Sequence, residues 1–189
     1  MENVLWVILS IIVLFVLYVI MAFNSLVRGR NQVSEAWSDI ETHLKRRYDL
    51  IPNLVETVKA YVKHESETLE KVVQARNVAM SQSGGAENHT EAENALGRTL
   101  KSIFALSESY PDLKANQSFI ELQREITDTE DKIQASRRFH NSMVLSFNNR
   151  TAMFPSNVIA GMFGFKKAAF FELEESERTA ASQPVQVQL

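Results

Sequence analysis

The chain has 189 residues, one domain's worth with room for an anchor and a tail. It contains no Cys, which excludes a disulfide framework and a thiolate zinc site. Its net charge of −3, from 20 Lys+Arg and 23 Asp+Glu, lacks the basic excess of a nucleic-acid binder, so no nucleic-acid partner is expected. With 6 Gly and 4 Pro, the composition favours long helices over strands and turns.

Val4 to Phe23 reads VLWVILSIIVLFVLYVIMAF, an uncharged stretch whose helical length of about 30 Å matches the hydrocarbon thickness of a bilayer. Trp6 lies near one end and Tyr18 near the other, where amphipathic rings favour the membrane interface. A cleaved signal peptide would be shorter, preceded by basic residues and followed by a small-residue cleavage site. This segment has none of those marks. Arg28 and Arg30 follow the span and Glu2 precedes it. The excess of cations on one side predicts an amino terminus outside and a main domain in the cytoplasm. The expected division is an anchor over 1–24, a helical bundle over 25–171 and a disordered acidic tail over 172–189.

A periodic stripe then begins: Val33, Trp37, Ile40, Leu44, Tyr48, Ile51, Val55, Val58 and Val62, in steps of three and four, as one face of a bundle helix requires. It continues less regularly through Leu69, Val72 and Val73. Pro52 sits inside it. Either Asp49 caps a new helix with Pro52 in its first turn, where a missing N–H costs nothing, or the helix runs on, kinked, with the carbonyl of Tyr48 freed. The stripe keeps its phase across the proline, so a kinked but continuous helix is expected.

SQSGGAENHT (Ser81 to Thr90) is polar, holds a Gly-Gly pair and reads as a loop. Thr90 and Glu93 have the spacing of a capping box and predict the start of a second helix, which carries Leu96, Leu100, Ile103 and Phe104. YPDLKAN (Tyr110 to Asn116) reads as a connector. A third helix is predicted from about Ser118 to Met153. Phe119, Ile126, Ile133, His140, Phe147 and Phe154 recur along it every seven residues, beside a partly polar seam of Leu122, Thr129, Ser136 and Met143. Phe154-Pro155 ends it. SNVIAGMFGFKKAAFF then predicts a short fourth helix that closes the bundle, or a segment that touches the membrane surface through its apolar bulk and Lys166-Lys167. The architecture is therefore all-α: an N-terminal transmembrane helix followed by an antiparallel up-and-down bundle of long, coiled-coil-like helices.

Little in the chain resembles catalytic machinery. His43, His64, His89 and His140 are too far apart to present a His pair on one helical face. His64-Glu65 lacks the second histidine of a zincin, because Thr68 stands there. Asp128 and Asp131 share a face and invite a divalent cation, but TDTEDKIQASRR (Thr127 to Arg138) reads more simply as a solvated face with ion pairs such as Asp128–Lys132 and Glu130–Arg137. No metal and no cofactor are expected. The basic triplet Lys45, Arg46 and Arg47 lies about 30 Å beyond the span, too far to feel anionic lipid. It predicts pairing with the acidic run of the third helix, or a docking patch for a protein.

Three stretches are similar to the signature of the LemA family: RNQVSEAWSDIETHLKRRYDLIPNLVETVKAY, YPDLKANQSFIELQREITDTEDKIQASRRFHN and FPSNVIAGMFGF. The resemblance covers roughly Phe23 to Phe171, and the length and order of the matched stretches make it specific. It implies a single-pass bacterial membrane protein with a helical-bundle domain and no established enzymatic activity. His140 departs from the pattern, standing where a tyrosine is expected.

Residues and resemblance together predict a non-enzymatic protein of the bacterial inner membrane. It is expected to contact the lipid bilayer and to self-associate as a structural or scaffolding homo-oligomer. The alternative is an adaptor that docks a membrane protease, a signalling component or another cytoplasmic protein. Its candidate interaction surface comprises Lys45, Arg46, Arg47, Asp49, Asp128, Glu130, Asp131, Arg137 and Arg138.

Overall fold

One unbroken helix, α1 (Glu2–Lys59), begins in the apolar N-terminal segment and ends deep in the bundle. The computed structural model describes residues 1–63 and 65–172. After α1 come α2 (Ser66–Ser81), α3 (Ala86–Ser107), the single turn α4 (Pro111–Lys114), α5 (Gln117–Ala152) and α6 (Ser156–Met162). There is no strand among the described residues. The 58 residues of α1 extend for about 87 Å. The first part stands alone: no residue in its most apolar window is buried in the protein. A helix that is long, apolar and uncovered is suited to cross a membrane, and the core helix of a soluble fold would be covered.

α5 runs antiparallel to α1. Arg150 Nη1 donates to the carbonyl of Ser25 at 3.2 Å near one end, and Arg46 meets Glu125 at 3.9 Å towards the other. Gly29 allows this close approach, since a Cβ there would stand 3.1 Å from Phe147 Cδ2. α2 folds back along α1, and α3 pairs with α2.

The core has two parts. In the larger, Ile40, Leu44, Ile51, Leu54 and Val58 of α1 meet Val72 of α2, Leu96 and Ile103 of α3, Leu113 of α4 and Phe119, Ile126 and Ile133 of α5. Each such fully buried side chain contributes about 1.5–3 kcal/mol of transfer free energy. The smaller part lies next to the span and joins Ala22 and Leu26 to Phe147, Ile159 and Ala160. Tyr18, Val19 and Phe23 pack against it, so the end of the apolar segment contributes to the fold.

Three expectations about the elements are corrected. α1 stops at Lys59, and α2 starts at Ser66, although the stripe continues, less regularly, through Leu69 and Val72. The turn between them holds neither Gly nor Pro. It is fixed by Tyr61, whose hydroxyl accepts from Asn116 Nδ2 at 2.8 Å. α3 starts at Ala86 instead of at the Thr90–Glu93 capping box. Gly84, at φ +105°, makes the turn into it; Thr90 Oγ1 instead donates to the carbonyl of Ala86 at 2.9 Å, and Glu93 is buried. The YPDLKAN connector holds the turn α4, which buries Leu113 completely. Asn116 then caps α5 by accepting from the Phe119 N–H at 2.9 Å.

The segment after Pro155 packs on the bundle. α6 ends in a Schellman motif: Gly164 adopts φ +70°, and the Phe165 N–H donates to the carbonyl of Ala160 at 2.9 Å. The following residues lie extended along α5. Asn148 donates to the Ala168 carbonyl at 3.0 Å and accepts from its N–H at 2.8 Å. Asn141 does the same for Phe171, at 3.0 and 2.9 Å. The spacing makes this possible, since seven helical residues and three extended ones both cover about 10 Å. Bundle closure is therefore achieved by a short helix plus an extended strap. The expected disordered tail, from residue 173 on, lies outside the described residues.

Candidate functional site

Arg47 is 2% exposed, although it belongs to a run of three cations. Helical geometry turns it inward while Lys45 and Arg46 stay outside. Its Nη2 donates to Glu93 of α3, and its Nη1 donates to Glu130 of α5. The Tyr48 hydroxyl donates to the other oxygen of Glu93. Three helices are thereby tied through one guanidinium. Burial pushes the Tyr48 phenol well above its usual range, and the hydrogen bond and charge of Glu93 push it the same way. The hydroxyl therefore stays protonated and acts as a donor. Removing Arg47 or Glu93 strands the other as a buried charge.

About one helical turn further along, Pro52 gives this node a second tie. Its missing N–H is the one that would have bonded the carbonyl of Tyr48. Arg76 of α2 takes that carbonyl instead, with Nε at 2.7 Å. The proline thus opens an acceptor for a neighbouring helix while α1 continues through it.

An aromatic node lies nearer the span. The Trp37 indole is met by the rings of His89 at 5.2 Å, His140 at 5.7 Å and Phe171 at 5.6 Å. These edge-on contacts join α1, α3, α5 and the strap. Burial holds the His140 imidazole below its ordinary range, partly opposed by its contact with Asn141.

Two grooves stand out among the described residues. The larger, about 850 Å³, lies between the end of α1 and α2 and includes Val55, Val62, Leu69, Val73 and Val78. The smaller, about 180 Å³, lies between α3 and α5. It has an apolar floor of Leu100, Phe104 and Ile126 and a rim that includes Arg98, Lys101, Asp131 and Arg137.

A family model for the LemA family matches residues 36–188. The chain belongs to the LemA family. It is 29% identical over 155 residues to Protein LemA of Metamycoplasma hominis, covering 82% of this chain and 71% of that protein. It is 22% identical to Magnetosome protein MamQ 2 of Paramagnetospirillum magneticum and 21% identical to Magnetosome protein MamQ of Magnetospirillum gryphiswaldense. Each alignment covers 92% of this chain and 72% of the relative.

Within this LemA-family fold the predicted surface residues separate. Arg47 makes the expected pairing with the acidic run of the third helix, through the half-exposed Glu130, but its place on an exposed surface is corrected, because it is interior. Lys45 and Asp49 are exposed and pair with each other at 3.0 Å. Arg46 is exposed beside Glu125. Asp128, Asp131 and Arg138 are exposed. The Arg137 guanidinium lies over the Phe171 ring at 5.9 Å. Asp128 and Asp131 belong to no metal-holding group of three or more His, Asp or Glu residues among those described. Of the anchor residues, Trp6 and Arg28 are exposed and Tyr18 packs on the smaller core. Arg30 lies over Phe165 at 5.5 Å.

Sequence reasoning missed Glu93, Arg76, Asn141 and Asn148. The Thr90–Glu93 spacing points to a capping role for Glu93, whereas the folded chain buries it beside Arg47. The two asparagines carry a legible signal in their seven-residue spacing, which repeats the period of the core seam beside them.

Proposed function

We propose that this chain is a membrane-anchored, non-enzymatic scaffold of a bacterial inner membrane that associates with copies of itself. Its amino terminus lies outside and its bundle in the cytoplasm. The observation that carries this reading is the unbroken α1. A helix shared by span and bundle fixes the height and tilt of the bundle, so copies in one bilayer present the same side faces at the same level. Much of the rotational and translational freedom that association must remove is then already gone. Copies inserted the same way are related by rotation about the membrane normal, which selects lateral, cyclic contacts. The groove between α1 and α2 supplies an apolar face, with Val73 and Val78 exposed. The strongest buried charged cluster, around Arg47, is consumed by its own internal pairing. The names of the relatives, Protein LemA and Magnetosome protein MamQ, specify no catalysed reaction.

The chain has no Cys, so an introduced one reports alone. Val73→Cys, treated with a bis-maleimide in intact membranes, should give a discrete dimer band, and Ser102→Cys on α3 should not. Equal bands, or none, would contradict the reading. The groove between α3 and α5 favours a second reading, an adaptor for a membrane protease or signalling partner, because its charged rim surrounds an apolar floor. Lys101→Glu with Asp131→Lys should then abolish co-purification of that partner without altering the melting temperature.

A further inference from the structure

The α5–α6 corner exposes a cluster of large apolar side chains that the bundle does not cover. Phe154 is 82% exposed, Met162 73%, Met153 64%, Phe163 53% and Val158 51%. Soluble surfaces rarely gather such a group. Its position explains it. α6 packs through Ile159 and Ala160 against the end of the apolar segment, and the Phe163 ring meets the Phe23 ring at 4.8 Å. The corner is therefore continuous with the part of α1 suited to lie in a bilayer. Tyr18, which also packs there, lies about 7 Å before Phe23 along the helix, so the corner overlaps the last turns of the span.

The charge pattern points the same way. Arg28, Arg30, Arg150, Lys166 and Lys167 belong to this end of the molecule. The segments that build it, 18–34 of α1 and 139–171 of α5, α6 and the strap, contain no Asp or Glu. This is one-sided in a chain whose total charge is −3. Arg150 sits against Ser25, and Arg30 against Phe165, which puts cations just beyond the end of the span, at headgroup level.

We propose that the α5–α6 corner is a second membrane contact. It seats its apolar tip in the boundary between headgroups and acyl chains of an anionic bilayer, with the five cations held against lipid phosphates. The span alone leaves the bundle free to rotate about the axis of α1. A second contact at the side of α1 fixes which face of the bundle points along the membrane. Apolar bulk plus flanking cations is the pattern of interfacial segments, and each Lys or Arg at an anionic surface strengthens the attraction. The inference rests on the reading of the first part of α1 as a span.

The test uses the full-length chain in nanodiscs of phosphatidylcholine, with and without phosphatidylglycerol. Single cysteines carrying an environment-sensitive fluorophore are placed at Ser10, Phe154, Met162 and Ser102, and quenching by spin-labelled lipid is read. The expected result is strong quenching at positions 10, 154 and 162 and little at 102. The signal at 154 should rise with phosphatidylglycerol and lose that rise in Lys166→Gln/Lys167→Gln. Quenching at 10 without quenching at 154 or 162 would overturn the corner contact and leave the anchor intact. No quenching at 10 would remove the span itself. Shielding at 154 that follows protein density and not lipid would assign the corner to a second copy and overturn the proposal.

Discussion

Replacing Pro52 and Arg76, singly and together, tests whether the proline opens an acceptor for α2. Arg76→Met leaves the partly buried Tyr48 carbonyl without its 2.7 Å donor. Stranding such a group costs about 1–3 kcal/mol. Pro52→Ala restores an N–H four residues beyond Tyr48. The helix-interior penalty of proline is about 3 kcal/mol. Arg76 already recovers about 1 of this by bonding the carbonyl, and the looser unfolded chain subtracts up to about 1 more. Pro52→Ala alone should therefore stabilise by about 1 kcal/mol. In that background Arg76→Met should cost less than about 0.5 kcal/mol, because the carbonyl has an intrahelical partner; the coupling is then about 1–2 kcal/mol. Each kcal/mol moves the melting temperature of a fold this size by about 2–4 °C. Melting followed by circular dichroism in one detergent resolves such shifts. Additive effects, with Arg76→Met equally damaging in both backgrounds, would refute the reasoning.

The Arg47 node predicts an asymmetric pair of variants. Arg47→Met should cost about 3–5 kcal/mol by leaving Glu93 charged and buried. Glu130→Gln should cost under about 1 kcal/mol, because that side chain is 41% exposed; equal midpoints in urea would contradict this. Asn141→Ala with Asn148→Ala should release the strap. Amide exchange at Ala168 and Phe171 then accelerates while Leu44 and Ile51 stay protected, and unchanged exchange would show that the strap is held otherwise. His140 is buried with its proton affinity lowered, so the unfolded chain binds a proton more readily. Its contribution is complete above the unfolded value of about 6.5 and is lost as pH falls below that. The urea midpoint should drop between about pH 7 and 5.5, and His140→Tyr should flatten the drop; an unchanged slope would exonerate His140.

Features with a local cause were legible in the residues alone. The continuity of α1 through Pro52 followed from the unbroken phase of its stripe, and α5 from its seven-residue seam. The all-α architecture followed from these patterns and the scarcity of Gly and Pro. What was hidden depends on groups distant in sequence. The turn after Lys59 has no Gly or Pro to mark it and is held by Asn116. The early start of α3 rests on Ala86 and Ala92, whose small side chains give a weak hydropathy signal, while Glu93 is interior because Arg47 awaits it. Pro52 announced a free carbonyl at Tyr48, but only the folded chain brings Arg76 to it. The surface reading of Arg47 failed for the same reason: a run of three cations does not reveal which one points inward until its partners are in place.

The native mass of the full-length protein tests the scaffold reading most directly. The protein is extracted in mild detergent and measured by light scattering with the detergent contribution removed. A single discrete mass, several times that of one chain and stable on dilution, is predicted. A monomer at every concentration would contradict self-association and turn attention to the groove between α3 and α5.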